Sequence, residues 1–82
     1  ETVYMRGMKV VRSRFRELLA AKAAREGRSI SVRKACIEAG ITWRIGYGMA
    51  DNTITAFPRE DLLKLCTYLA CDLAELLVME EA

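Results

Sequence analysis

Between Ser31 and Ala50 the chain reads SVRKACIEAGITWRIGYGMA, two apolar stripes of helical period with only Gly40-Ile41-Thr42 between them. Val32, Ala35, Cys36 and Ala39 recur at helical spacing on the first, and Ile41, Ile45 and Met49 on the second. A strand would alternate every second residue, which neither stripe does. A three-residue joint forces the two helices to be neighbours in space, and Gly40 supplies the tight turn. Cys36 stands four residues before that glycine and Met49 nine after it. This spacing predicts two short helices packed at a steep angle, with the second protruding.

Helical patterning extends to both sides. Val11, Phe15, Leu18 and Leu19 share one face of a first helix over about 11–26, which Gly27 closes. Ser31 is positioned to cap a second helix over about 32–39, and Thr42 a third running to about Ala50. Pro58 suits the first position of a fourth, whose face is Leu62, Leu65, Cys66 and Leu69. Asp72 and Glu75 have the spacing of a capping box for a fifth over about 73–79, with Cys71 and Leu76 placed as a hydrophobic staple. The expected fold class is all-α: a compact five-helix domain over 11–79, with a flexible or strand-like arm over 1–10 and a tail at 80–82. Ile54 and Phe57 are expected to pin the loop after the third helix to the core.

Charge is uneven along the chain. Residues 1–44 carry eleven basic side chains against four acidic, and residues 45–82 carry two against seven. If the halves segregate in space, the basic end can bind a polyanion by counterion release. Histidine is absent and the three cysteines lack CxxC spacing. No metal or other cofactor is therefore expected, and buried reduced thiols are the expected state of Cys36 and Cys66. Without histidine, a phosphate-binding glycine loop or a nucleophile beside a base, the chain is not expected to be an enzyme. No stretch has signal-peptide zoning or the length to span a bilayer, so a soluble cytoplasmic protein without membrane contact is expected.

Three segments carry a family resemblance: FRELLAAK at 15–22, SISVRKACIEAGIT at 29–42 and DLLKLCTYLACDLAELL at 61–77. With these the chain resembles the Cro and lambda-repressor-like helix-turn-helix regulators, also called XRE-like, and most closely their small single-domain members. The resemblance implies a lambda-repressor-like domain whose third helix enters the major groove of operator DNA, commonly as a homodimer and as a repressor. It places base reading on Trp43, Arg44, Tyr47 and Gly48. Contacts to the DNA backbone fall on Ser31, Arg33, Lys34, Thr42, Asn52 and Thr53. Among these Arg44 has the chemistry to pair with guanine O6 and N7.

The third helix also departs from that family, which usually has an aliphatic residue at Gly46, a polar or basic one at Gly48, and polar ones at Trp43 and Tyr47. Two readings of Gly46 are open. It thins the core, which Trp43 and Tyr47 then cover, or it lets the third helix lie close against the small residues of the second, and both can hold together. A different function also competes: a helix-turn-helix scaffold that binds a protein partner, with Trp43 and Tyr47 as anchors.

Overall fold

The computed structural model describes residues 9–81. Its elements run β1 (Lys9–Ser13), α1 (Phe15–Glu26), α2 (Val32–Ala39), α3 (Trp43–Asp51), α4 (Arg59–Leu69), α5 (Leu73–Leu76) and β2 (Leu77–Glu81). Five helices agree with the expected class, and a two-stranded antiparallel ribbon is added to them. Most of the arm expected over 1–10 lies outside the described residues.

The ribbon corrects both end helices. The first begins at Phe15 rather than at Val11, and the fifth stops at Leu76 rather than running to Met79. In their place Val11 pairs with Met79, Arg12 with Val78 and Ser13 with Leu77. Val10, Val11 and Val78 are β-branched, which suits a ladder better than a helix. The ladder is continued by the Arg14 N–H, which donates to the Leu76 carbonyl at 2.8 Å. Buried Ser13 ends the strand: its Oγ accepts from the Phe15 N–H at 3.0 Å, so the helix starts there. At the other end the capping box forms as expected, with the Asp72 N–H donating to Glu75 Oε1 at 2.7 Å. Pro58 precedes α4 as its cap residue, one position earlier than expected.

One core joins all five helices. Phe15 and Leu19 from α1, Ala35 and Cys36 from α2, Met49 and Ala50 from α3, Leu65 and Leu69 from α4 and Leu76 from α5 are buried together with Ile41 of the turn. Ile54 and Phe57 pack against it, which holds the α3–α4 loop down. Cys36 is buried, whereas Cys66 and Cys71 are only half-buried, a partial correction to the expected burial of Cys66. No described helix is long and apolar enough to cross a membrane.

The charged halves do not separate. Arg12 Nε meets Glu80 Oε2 at 2.5 Å and Lys9 Nζ meets Glu81 Oε2 at 3.7 Å, so the ribbon pairs two cations of the first half with two carboxylates of the second. A second network ties α2 to α4. Arg28 forks onto Glu38 with two bonds of 2.8 Å, and the Tyr68 hydroxyl donates to Glu38 Oε1 at 2.5 Å. The Lys22 ammonium lies 4.5 Å from the centre of the Tyr68 ring.

Arg28 first, and then Tyr68, hold the Glu38 carboxyl down at about 2, from an ordinary 4.5. The folded state thus prefers the carboxylate, and that preference contributes in full above the ordinary value and is lost as pH falls towards about 2. Urea unfolding across this acid range should show Glu38→Gln with a flatter loss of stability than the unaltered protein. Identical slopes would mean that the network does not couple to folding.

Candidate nucleic-acid interface

The α2–α3 unit is built from its caps inward. Ser31 Oγ accepts from the Lys34 N–H at 3.0 Å and Thr42 Oγ1 from the Ile45 N–H at 3.4 Å, so each helix start is satisfied by its own side chain. Each of these hydroxyls keeps an O–H that can still donate outward. Gly40 sits at φ 78, left-handed backbone that a side chain disfavours, and its N–H donates to the Cys36 carbonyl at 2.9 Å. From α4, Lys64 Nζ donates to the Gly40 carbonyl at 3.3 Å and clamps the turn.

Gly46 lies against Cys36. A Cβ there would fall well inside the contact distance of the Cys36 sulfur, and Ile41 stands close behind. Helix α3 therefore approaches α2 more closely than a side chain at 46 allows, as the second reading of this glycine expects. Trp43 cannot be its cover, since Trp43 is 65% exposed. Gly48 has a related but looser role: a Cβ there would meet Ile54 Cβ at 3.1 Å. The Gly48 carbonyl accepts from the Thr53 N–H at 3.0 Å and the Ile54 N–H at 3.3 Å, so this residue seats the exit loop.

The far end of α3 is held by contacts that local sequence patterns do not reveal. Arg16 Nε donates to the Ala50 carbonyl at 3.1 Å, and its Nη2 meets Asp51 Oδ1 at 2.8 Å. A cation at the last carbonyls also favours the helix dipole. Asn52 takes φ 58, and its Oδ1 accepts from the Ser13 N–H at 2.6 Å. Its carbonyl oxygen is thus engaged within the protein, which leaves its NH2 group as the outward donor. No local signal marks Arg16, which lies in the first turn of α1, 34 residues before the carbonyl it meets; for Asn52 there was only its known tolerance of left-handed backbone.

Held at both ends and along its inner face, α3 presents Trp43, Arg44 and Tyr47 to solvent. Arg44, Gly48 and Thr53 line one shallow hollow of about 340 Å3, with Pro58 at its edge. Ser31, Arg33 and Lys34 line another of about 330 Å3 beside exposed Ile37. Arg33, Lys34 and Arg44 have no ion-pair partner among the described residues, unlike Arg12, Arg16, Lys22 and Arg28. Unpaired cations on the two helices of a helix-turn-helix are available to phosphate and to base edges.

Comparison with known proteins agrees with this geometry. Neither the curated proteins nor the solved structures give a match. A family model does, over residues 14–82, and its description is the Cro/C1-type HTH DNA-binding domain. Covering most of the chain and all five helices, that match makes the protein a member of the Cro/C1-type helix-turn-helix DNA-binding family.

Proposed function

We propose that the protein is a sequence-specific regulator of transcription, acting as a repressor, that inserts α3 into the major groove of duplex DNA. The observation that carries this reading is a recognition helix fixed on its inner face at Gly46 and at its end by Arg16, with Trp43, Arg44 and Tyr47 left outward. In this reading Arg44 pairs with a guanine edge, while Tyr47 and Trp43 touch bases, thymine methyls or sugar. Gly48 contributes by seating the exit loop close to the helix rather than by touching a base. Ser31, Arg33, Lys34, Thr42, Thr53 and the Asn52 amide hold the phosphate backbone. The protein works in the cytoplasm as a homodimer. Exposed Val10, Val11 and Met79 on the ribbon give apolar surface that a second copy can cover.

Affinity for duplex DNA measured across a salt series tests the proposal. It should fall steeply with salt, and Arg33→Ala/Lys34→Ala should shallow the logarithmic slope by about 2, roughly 1 for each phosphate contact. Salt-independent binding, or none at low salt, contradicts it. The exposure of Trp43 favours one other reading, a protein-docking face. Retention of a protein partner that is lost in Trp43→Ala, with no DNA bound, would support that reading instead.

A further inference from the structure

Helix α4 ends in a backbone arrangement that sets two cysteines side by side. Ala70 takes left-handed φ 56, its N–H donates to the Thr67 carbonyl at 3.3 Å, and the Cys71 N–H donates to the Cys66 carbonyl at 3.0 Å. This closure of a helix C-terminus brings together the side chains of the two residues joined by the longer-range bond. Here both are cysteines, and both side chains line one groove. A disulfide needs its Cα atoms within ~4.4–6.8 Å of each other, and the backbone bond makes these two residues close neighbours.

Both thiols are free and half-buried, and both line an open groove of about 540 Å3 with Phe57, Leu62, Leu63 and Leu73. A small reagent therefore has a path to them, whereas Cys36 is sealed in the core at 3% exposure. Among the described residues no group of three or more histidine, cysteine or carboxylate side chains could hold a metal ion. The chemistry within reach is that of the two sulfurs with each other.

We propose that Cys66 and Cys71 form a redox-active dithiol site, which a low-molecular-weight disulfide of the glutathione class converts to an intramolecular disulfide. The Cys66 thiolate attacks one sulfur of the small disulfide and expels the first small thiol. Cys71 then releases its proton, attacks the Cys66 sulfur of the mixed disulfide and expels the second. Two protein S–H bonds become one S–S bond; two electrons and two protons leave with the two small thiols. The order follows from surroundings: burial, and then the neighbouring Cys66, Glu75 and Asp72, push the Cys71 thiol up to about 11. A thiol raised in this way is the poorer first attacker, which leaves that step to Cys66. The closed bond fastens the corner between α4 and α5. No residue lining the groove belongs to α3, so the proposal stands independently of how α3 reads DNA.

The test is equilibration of the whole protein with mixtures of reduced and oxidised glutathione, with thiols counted and disulfides mapped by mass spectrometry. Of the three thiols in the chain, one should remain, on Cys36, with Cys66 joined to Cys71. Cys71→Ser should stop at a glutathione adduct on Cys66. The same equilibrium in denaturant should favour closure less, by about tenfold or more, because only the fold holds the sulfurs together. Three thiols retained, adducts without closure, links between chains, or an equal constant in denaturant would each overturn the proposal.

Discussion

Arg44→Ala is expected to weaken binding to the preferred duplex by roughly tenfold to a hundredfold, about 1–3 kcal/mol, while binding to arbitrary duplex at low salt changes little. The expectation rests on a division of labour. Phosphate contacts supply affinity for any sequence, and base-edge contacts supply preference. Arg33 and Lys34, without ion-pair partners among the described residues, remain in the variant and are expected to go on serving the first purpose. Arg44 stands exposed in the first turn of α3, beside the hollow formed with Gly48 and Thr53. Its planar fork can take guanine O6 and N7 together, which a lysine cannot match. Arg44→Lys should therefore keep the salt dependence and still lose most of the preference. Competition between preferred and arbitrary duplexes, measured by fluorescence anisotropy, reads both effects. Equal losses on both duplexes would assign Arg44 to phosphate.

The second large effect concerns stability. Gly46→Ala adds a methyl group where the Cys36 sulfur already sits, and overpacking of this kind costs about 1–3 kcal/mol. Alanine is also the better helix former by about 1 kcal/mol, which opposes the loss. The clash is expected to win, because Cys36 is 3% exposed and has little room to turn aside. Cys36→Ala removes the sulfur. The double variant Cys36→Ala/Gly46→Ala should then recover stability and keep the helix-forming gain, giving a favourable coupling of about 1–3 kcal/mol in urea unfolding. If Gly46→Ala alone is as stable as the unaltered protein, α3 is not held in place by this contact.

The same pair explains one departure of the third helix from its family, the glycine at 46. Read as sequence, a glycine in the reading helix weakens it and counts against DNA recognition. In the fold, Gly46 matches a sulfur at the position facing it on α2. That relation spans ten residues and two helices, so no local pattern shows it; only the small-residue stripe of α2 hinted at close approach.

Other parts divide along the same line. The helix-turn-helix frame was legible because its determinants are local: Ser31 and Thr42 as caps, Gly40 in left-handed backbone, Ile41 and Met49 facing inward. The capping box at Asp72 and Glu75 was legible for the same reason. The ribbon was not. Val11 continues the helical stripe of Phe15 and Leu19, and Leu77 and Met79 continue that of Leu73 and Leu76, so the period alone favours longer helices. What turns both segments into strands is each other, across most of the chain, and non-local pairing leaves no periodic trace. The charge asymmetry misled for a similar reason, since Lys9 and Arg12 meet Glu81 and Glu80 on that ribbon. The site candidates were read as a surface. The fold shows Gly48 and Asn52 also committed to the protein, through Ile54 and Ser13.

The central claim is that α3 reads bases, and selection from a random duplex library followed by sequencing tests it most directly. The account predicts enrichment of a short two-fold-related motif, its half-sites spaced to match a protein dimer. It also predicts that the same selection with Arg44→Ala loses preference at a guanine of each half-site while duplex is still retained. Recovery of duplex with no common sequence, or a motif unchanged by Arg44→Ala, Trp43→Ala and Tyr47→Ala alike, would contradict it.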